Sequence, residues 1–391
     1  MFKEFQGKVS WQMRIGIDAR LLTYRRGIGN FVYNLLTELA KLPGNEQYIL
    51  YVDDMQAAQF VPQDPRFIVK KLWPRLYPLW EQVSLALAIT CDGPDILHCP
   101  ANTAPLFLFG NVKLVLTVPD VMYALPKSVL PQSPSLYQRL GRMYYRFFAR
   151  FAVKRALRIM TLSEHSKHDL VNIFNVLKEK IAVVYLAANP MQQYFEGPSI
   201  VEEVMERFAI EGKFIFALGA LDPRKNTLGI LNSFALLRKM STLSPQLVIA
   251  GLTQAAKKRF SRIIDALGIQ KQVVLLGFVS EQELAALYKG SEVFVYPSLY
   301  EGFGMPVLEA MACGAPVITT TAGSIPEVAG EAALFVDPKN PEEISHAILR
   351  IITDAELRNR MIEQGLEQSK RFSWADTARQ VMEIYRASLN A

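Results

Sequence analysis

Short apolar runs alternate along the chain with stretches whose apolar residues recur at helical spacing. The runs are rich in β-branched and aromatic residues and predict strands, whereas the spacing of apolar residues over 31–39 is typical of an amphipathic helix. Strands that alternate with helices form parallel sheets covered on both faces, so the pattern predicts an α/β protein. The predicted strands are residues 13–17, 48–52, 67–69, 96–98, 112–118, 158–162, 181–184, 214–218, 247–250, 273–276, 293–296 and 317–319.

The chain is longer than one hydrophobic core usually supports. Its 391 residues, half of them hydrophobic and a fifth charged, predict two packed domains. The composition shifts to Asn, Pro, Gln and Gly between residues 187 and 199, which indicates a linker. The predicted organisation is an extension at 1–12, a Rossmann-like first domain at 13–188, a linker at 189–198, a second domain at 199–372 and a final helical segment at 373–391.

Charge and cysteine content narrow the class of protein. The net charge of +6, from 43 Lys and Arg against 37 Asp and Glu, fits an anionic substrate or surface and does not require a nucleic-acid partner. Three cysteines without metal-ligand spacing indicate a reducing compartment. The first residues lack the apolar core of a signal peptide, and no apolar run reaches the ~18 residues of a spanning helix. We therefore expect a cytoplasmic protein, soluble or peripheral on the inner face of the cell membrane.

One strand–loop–helix segment, residues 293–317, carries two acids. A buried strand is followed by a loop at 297–304, and Pro306 suits the first helical position because its missing N–H needs no partner there. Glu301 then lies in the loop and Glu309 near the first turn of the helix. The backbone N–H groups of 302–305 would face a ligand at the helix amino terminus, where an anion is favoured. Two glutamates at this spacing alone would equally fit a solvated turn.

The whole run EGFGMPVLEAMACGAPVI resembles the E-x7-E element of retaining glycosyltransferases of family 4 over eighteen residues, with Glu301 and Glu309 as its two acids. The resemblance implies the GT-B fold, in which two Rossmann-like domains face each other across a cleft and the last helix packs back towards the first domain. It also implies that the second domain binds a nucleotide sugar. The nucleotide-sugar-binding residues implied in this run are Gly302, Phe303, Gly304, Met305, Pro306, Val307 and Glu309.

Two adjacent cations follow the first predicted strand of the second domain. The segment from Gly219 to Asn226 contains Arg224 and Lys225 where a parallel strand passes to a helix. Ligands bind at this carboxyl edge of open α/β sheets, and Arg and Lys suit a diphosphate. By itself such a turn is usually a solvated loop, but it resembles the phosphate-binding loop of family 4. Further along, LLGFVS resembles the segment that contacts the nucleobase, which adds Phe278 and Val279.

Gly27 and Gly29 mark the predicted entrance of the first helix. A glycine lets a ligand approach the backbone closely, although a tight turn would explain the pair equally well. The pattern RIGIDARLL…GIGN resembles the opening strand and glycine loop of family 4. In that family the glycine loop reaches across the cleft to the phosphate and sugar of the donor. The resemblance therefore places both glycines at the donor.

The first domain departs from the family at one position. Many members carry a His-Asp pair after the strand at 112–118, whereas this chain has Pro119-Asp120. Two residues stay candidates for binding the sugar or the acceptor: Asp120, and His98 at the end of another strand. The structural alternatives are a turn aspartate for Asp120 and a core histidine for His98. We predict no metal site, because His165 and His168 have no carboxylate or cysteine cluster beside them. The absence of G-x-G-x-x-G and P-loop motifs argues against a dehydrogenase or an NTPase.

The segment 135–158 is basic and contains no acidic residue. Cations recur at every fourth position from Arg142 to Arg158, with aromatic residues between them. A helix of this kind could contact anionic lipid and bring the enzyme to a lipid-linked acceptor. The alternative is the solvated face of a crossover helix.

The resemblance implies transfer of a glucose- or mannose-type hexose from a UDP- or GDP-sugar to a glycan or lipid-linked acceptor hydroxyl, with retention. Arg224, Lys225 and the helix amino terminus would stabilise the leaving diphosphate, while Glu301 holds the sugar and Glu309 the ribose. We expect neither a metal nor a cofactor. No residue suggests itself as a nucleophile, so the double displacement of retaining glycosidases is not expected. The resemblance implies front-face attack instead. Two alternatives are a sugar-nucleotide epimerase and a binding or scaffold protein that has lost turnover, the latter suggested by Pro119.

Overall fold

The computed structural model describes residues 11–24, 27–125, 136–195 and 200–391. It contains two parallel sheets, each flanked by helices, which confirms the predicted α/β class. Nearly all of the predicted extension lies outside the described residues, as do residues 196–198 of the predicted linker. The domain boundaries stay a prediction.

The first sheet has seven parallel strands, all of them predicted from the sequence. Their bounds are β1 Met13–Asp18, β2 Glu46–Val52, β3 Phe67–Lys71, β4 Ile96–Cys99, β5 Lys113–Thr117, β6 Arg158–Thr161 and β7 Ile181–Val183. The order in the sheet is β3-β2-β1-β4-β5-β6-β7. Because the order reverses between β1 and β4, the loops after these strands diverge and leave a crevice at the carboxyl edge.

The second sheet has six parallel strands. Their bounds are β8 Phe214–Leu218, β9 Gln246–Ala250, β10 Val273–Leu275, β11 Val293–Val295, β12 Val317–Thr319 and β13 Ala333–Phe335, in the order β10-β9-β8-β11-β12-β13. The sequence did not predict β13, because three apolar residues are too short a run to show a period. Strands β8 and β11 are paired in parallel, so the loops after them begin side by side at the carboxyl edge.

Fourteen α-helices lie among the described residues. Their bounds are α1 Ile28–Lys41, α2 Tyr77–Leu79, α3 Ala86–Asp92, α4 Leu136–Arg155, α5 Glu164–Phe174, α6 Ile200–Arg207, α7 Thr227–Met240, α8 Gln254–Leu267, α9 Glu281–Gly290, α10 Met305–Ala312, α11 Ile325–Ala329, α12 Pro341–Thr353, α13 Ala355–Ser369 and α14 Trp374–Leu389. A π-helical segment, Trp80–Leu85, joins α2 to α3 in one helical run. The basic helix ends at Arg155, so the prediction that its stripe continues to Arg158 is wrong. Arg158 belongs to β6.

The last helix, α14, lies against the first domain. The indole Nε1 of Trp374 donates to the carbonyl of Ala188 at 3.2 Å, and Thr377 Oγ1 donates to the carbonyl of Tyr185 at 2.7 Å. Near its end, Arg386 forms an ion pair with the buried Glu46 at 3.0 Å. These contacts tie the end of the chain to the first sheet.

His98 is part of this packing and does not line the cleft. It is fully buried, with Nδ1 at 2.7 Å from the hydroxyl of Tyr385 and Nε2 at 2.7 Å from Thr117 Oγ1. Burial lowers the pKa of His98 to about 3, so the ring is neutral. The prediction that His98 contacts a sugar or acceptor is therefore corrected: Nδ1 is bonded to α14 and Nε2 to the neighbouring strand β5, so neither ring nitrogen is available to a ligand.

Candidate functional site

Two neighbouring loops at the carboxyl edge of the second sheet bring the predicted residues together. The loop after β8 carries Arg224 and Lys225, and the loop after β11 carries Glu301. Asn226, in a left-handed backbone conformation (φ 51°), fixes the first loop to the second because its Nδ2 donates to the carbonyl of Pro297 at 3.2 Å. The side chain of Lys225 consequently reaches the second loop.

Glu301 is the centre of a polar cluster. Its Oε1 accepts hydrogen bonds from Lys225 Nζ, the Tyr296 hydroxyl and Ser298 Oγ, each at 2.7 Å. Only 9% of the residue is exposed. Burial acts to raise the pKa of Glu301, but Lys225 and Arg224 overcome it and lower the pKa below its ordinary value. All three donors use Oε1, so among the described residues none hydrogen-bonds to Oε2, which can accept a ligand hydroxyl.

Arg224 is held by a neighbour that the sequence did not single out. Asp222 accepts hydrogen bonds from Arg224 Nε at 3.0 Å and Nη2 at 2.8 Å. The carbonyl of Arg224 accepts the backbone N–H of Leu299 at 2.8 Å, which joins the two loops again. Asp222 therefore fixes the direction of the guanidinium. Its position two residues before the arginine is the sequence signal that could have identified it.

Glu309 lies in a different environment from Glu301. It is 9% exposed, and its closest described hydrogen-bond donor is the Tyr288 hydroxyl, at 3.5 Å from Oε2. Burial, reinforced by the charge of Glu281, raises the pKa of Glu309 to about 8. The two acids of the motif therefore have pKa values shifted in opposite directions.

The helix that carries Glu309 begins one residue earlier than predicted. Met305 is its first residue and Pro306 its second, with Gly304 as N-cap (φ 104°). Phe303 is buried against Tyr185 and Phe372, at ring-centroid distances of 6.3 and 6.0 Å. The side chains of Phe303 and Val307 lie in the core. At these two positions only the backbone is available to a ligand.

In the predicted glycine loop, one of the two glycines is needed for close packing of the chain. Gly27 caps α1, but Gly29 already lies within that helix. A Cβ at Gly29 would lie 1.7 Å from the carbonyl oxygen of Tyr24. Glycine is therefore required there by contact with the preceding turn, and donor binding by either glycine stays a prediction.

The remaining donor-site candidates lie at the same sheet edge. Gly219 directly follows β8, and its N–H donates to the carbonyl of Ala250 at 2.9 Å. Phe278 is 59% exposed, and Val279 is partly buried. Ser280 and Glu283 form a capping box at the start of α9, with bonds of 3.2 and 2.7 Å. The capping box thus fixes the start of α9 directly after the loop 277–279.

The first domain contacts the acidic motif directly through the start of α5. Ser163 Oγ and Ser166 Oγ both donate to the carbonyl of Gly302, at 3.0 and 3.2 Å. A Cβ at Gly302 would lie 2.6 Å from Cβ of Asp120, so the close approach of the two domains requires glycine. Asp120 is thereby placed beside the motif. Burial raises its pKa, and Arg224 opposes this shift.

A second set of contacts joins the same two elements. The carboxylate of Glu327, on α11, accepts the backbone N–H groups of Glu164 and His165 at 2.7 and 2.8 Å and the Tyr185 hydroxyl at 3.2 Å. Tyr300 donates to Asp169 at 2.7 Å. The domains therefore meet in a closed arrangement. The Ser-x-x-Ser spacing at 163–166 is the sequence signal that could have identified the start of α5.

The described residues form neither a metal-binding cluster nor a membrane-spanning helix. Across the described parts of the chain, no three His, Cys, Asp or Glu side chains come together in a group that could hold a metal ion. Within the same residues, every helix is either too short or too polar to cross a bilayer.

Comparison with known proteins agrees with this geometry. Residues 25–191 match the family described as Glycosyltransferase Family 4, and residues 202–368 match Glycosyl transferases group 1. The O-antigen chain mannosyltransferase RfbU of Salmonella typhimurium is 32% identical over 252 residues, which are 63% of this chain and 67% of that protein. O-antigen chain mannosyltransferase B of Escherichia coli is 31% identical over 58% of this chain.

The lengths of these relatives differ. The matched region spans 60% of mannosyltransferase B and 31% of the serotype-specific mannosyltransferase WbdA of the same organism, which is 28% identical. Among solved structures, Anabaena Alr3699/HepE in complex with UDP and glucose superposes with a TM-score of 0.75, at 17% identity, over 96% of this chain and all of that one. That likeness shows the fold. The family matches in both halves, the relative from Salmonella and the two facing sheets establish that the chain belongs to glycosyltransferase family 4 and has the GT-B fold.

Proposed function

We propose that this protein is a retaining hexosyltransferase, which moves a glucose- or mannose-type hexose from a UDP- or GDP-sugar to a hydroxyl of a glycan or lipid-linked acceptor. The observation that carries the proposal is the cluster of Lys225 with the buried Glu301 and Tyr296, beside Arg224 at the carboxyl edge of the second sheet. The mannosyltransferase names of the relatives support a hexose as the transferred group.

The cations are assigned to the diphosphate. As the bond between the anomeric carbon and the diphosphate oxygen breaks, negative charge grows on the leaving group. Arg224, fixed by Asp222, and Lys225, fixed by Glu301, are donors whose positions are set before the reaction begins. Fixed donors in a closed cleft are usually the largest electrostatic contribution to such a step. The amino terminus of α10 adds partial positive charge on the same side.

The two acids are assigned to hydroxyl groups. Glu301, ionised because its pKa is lowered, offers Oε2 to a sugar hydroxyl and places negative charge near the anomeric carbon as positive character develops there. Glu309 is assigned to the ribose. Because its pKa is raised to about 8, much of it is protonated at neutral pH, and it can both donate and accept hydrogen bonds with a pair of hydroxyls.

Retention follows from attack on the face that the diphosphate leaves. The acceptor oxygen forms its bond to the anomeric carbon, the bond to the diphosphate breaks, and the acceptor proton passes to a diphosphate oxygen. No metal is assigned a role, since the cations of the chain meet the leaving group. The closed contacts between α5 and the acidic motif exclude water, which would otherwise hydrolyse the donor.

The acceptor and the location are also part of the proposal. Nucleotide sugars are cytoplasmic substrates, so we place the enzyme in the cytoplasm, with the basic helix α4 in peripheral contact with the inner face of the cell membrane. A lipid-linked glycan held at that surface would meet the cleft from the first domain.

The test is an activity panel with the purified protein, UDP-glucose, GDP-mannose and other hexose donors, and lipid-linked glycan acceptors. We expect one donor to be consumed, a product anomer that matches the donor, and no loss of rate in EDTA. An inverted product would refute the mechanism. Tight nucleotide binding with no turnover on any donor would instead favour a binding protein, and Pro119→His would then test whether the missing histidine is the cause.

A further inference from the structure

Two helical segments lie side by side on one face of the first sheet. Trp80 and Leu85 of the 77–92 helical run and Ala149 and Val153 of α4 pack into the same hydrophobic core beneath them. The segments touch where the rings of Tyr77 and Tyr144 lie 5.2 Å apart, between centroids. Their outward sides therefore form one continuous surface.

The outward side of the 77–92 run is apolar. Leu76, Leu79, Val83 and Leu87 recur at spacings of three and four residues, and all four are exposed, Leu76 by 64%. Trp73, just before them, is 77% exposed. A helical stripe at this spacing normally faces a core. Here the core side is occupied by other residues, so the stripe faces outward.

The outward side of α4 continues this surface. Leu140, Met143, Phe147 and Phe151 recur on one side of the helix and are exposed, Met143 by 67%. Beside them lies the loop 105–109, held because Arg155 Nη2 donates to the carbonyl of Leu108 at 2.9 Å. Its Phe107 is 70% exposed. Isolated exposed apolar residues are ordinary, but three adjacent segments of them form a contiguous patch, which marks an interaction site.

The charge of this surface has one sign. Arg146, Arg150 and Lys154 are exposed on α4 and, with Phe147 and Phe151, line a shallow hollow. Neither α4 nor the loop 105–109 contains Asp or Glu. In the 77–92 run, Glu81 is buried, and Asp92 is paired with Lys70. The described acids are thus turned inward or neutralised.

We propose that this whole outer face, formed by residues 73–92, 105–109 and α4, is the surface on which the enzyme binds an anionic lipid bilayer. Apolar side chains enter the boundary between headgroups and acyl chains, while the cations meet lipid phosphates. Charge selects the bilayer over a second copy, because two copies joined through this face would bring the same cations together. The proposal rests on the function proposed above and extends the membrane contact from α4 alone to this whole face.

The placement of α4 connects this face to the cleft. Arg142 Nη2 donates to the carbonyl of Met122 at 3.1 Å, and the backbone N–H of Met122 donates to Asp120 at 2.9 Å. Asp120 lies beside Gly302 of the acidic motif. A lipid-linked acceptor held at the bilayer would therefore reach the first-domain side of the cleft without leaving the membrane surface.

Sedimentation with vesicles tests the proposal, using the full chain without donor or acceptor. We expect binding to vesicles of phosphatidylcholine with phosphatidylglycerol, no binding to phosphatidylcholine alone, and release by salt. Arg146→Glu with Arg150→Glu should weaken binding by at least about tenfold, because each cation near an anionic surface contributes about a factor of five. Leu79→Ser with Leu87→Ser should also weaken it severalfold. Leu228→Ser, an exposed leucine of the second domain, should bind like wild type.

Each variant is checked by circular dichroism and by turnover of a water-soluble acceptor analogue, which should not change. Equal binding to neutral and anionic vesicles, or none to either, would overturn the proposal. Wild-type affinity in the Leu79 and Leu87 double variant would reduce the surface to α4 alone and refute the extended face. A dimer in sedimentation equilibrium that these variants dissociate would assign the face to a second copy. If no donor is found, the vesicle-binding results still stand, with circular dichroism as the check that each variant is folded.

Discussion

The carboxylate of Glu327, in the second domain, accepts the backbone N–H of His165, in the first domain, at 2.8 Å. The neighbouring N–H of Glu164 is bound by the same carboxylate. Free N–H groups at a helix start attract negative charge, and here that charge is supplied from across the cleft. The closed arrangement of the two domains therefore depends in part on a helix cap that one domain provides for the other.

We predict that Glu327→Ala lowers catalytic efficiency by opening the cleft. Losing charged hydrogen bonds to two backbone donors should shift the closed state by about 2 kcal/mol, or roughly thirtyfold in its population. The measurement is kcat/KM together with the radius of gyration from solution scattering. Glu331→Ala, an exposed acid four residues further on, is the matched control. An unchanged radius and rate in the Glu327 variant would show that the cap plays no part in closure.

Two serines at the start of α5 allow the effect of helix capping to be measured apart from the effect of the contact between domains. Ser163 Oγ accepts the N–H of Ser166 as an N-cap and also donates to the carbonyl of Gly302. Ser166 Oγ contacts Gly302 without capping the helix. We expect Ser166→Ala to lower kcat/KM several-fold with a small loss of stability. Ser163→Ala should lower activity similarly and also cost about 1 kcal/mol of unfolding free energy. Equal melting temperatures for the two variants would contradict this division.

Lys225→Ala should weaken nucleotide binding by about 2 kcal/mol, a roughly thirtyfold increase in Kd, because it removes a charge-assisted donor and leaves Glu301 with less compensation. Titration calorimetry with UDP and GDP measures the change. Lys239→Ala, an exposed lysine in the last turn of α7, should bind like wild type. Wild-type affinity in the Lys225 variant would contradict the assignment of Lys225 to the diphosphate.

Glu301→Gln keeps an acceptor for Tyr296 and Ser298, so it should fold normally while turnover falls.

Glu309 should make the stability of the protein depend on pH. Its pKa is raised from 4.5 to about 8 in the folded state, so the folded protein holds a proton that the unfolded chain has lost between these values. The stabilising contribution is complete below the unfolded pKa and is lost as the pH rises through 8. We expect the melting temperature of wild type, relative to that of Glu309→Gln, to fall across this window. A constant difference between the two would show that Glu309 is not buried as described.

Much of the framework could be predicted from local sequence. The twelve predicted strands are all present, because runs such as that of β11 combine branched apolar residues with flanking turn residues. The capping box of Ser280 and Glu283 is equally local, because its hydrogen bonds join residues three positions apart. Strand β13 was missed, since a three-residue strand has no period to detect.

Side-chain environments were predicted less well. His98 lies near the carboxyl end of β4, at the sheet edge where ligands bind, yet α14 covers it, and its partner Tyr385 is 287 positions away in the chain. Asp222 and Ser163 are ordinary turn and cap residues in sequence. Only the folded chain shows that one holds Arg224 and the other holds Gly302.

The sequence by itself determined the two-domain α/β plan, the loops that carry Arg224, Lys225 and Glu301, and the helix that carries Glu309, because strand and helix patterns are set by residues a few positions apart. The tertiary structure decided the opposite pKa shifts of the two glutamates and the cap that Glu327 provides for α5. It also decided the exposure of the apolar stripe formed by Leu76, Leu79, Val83 and Leu87. These properties depend on which segments meet in space. An apolar stripe has the same spacing whether it faces a core or a membrane. Ser163 and Gly302, which are in contact, are 139 positions apart in the chain.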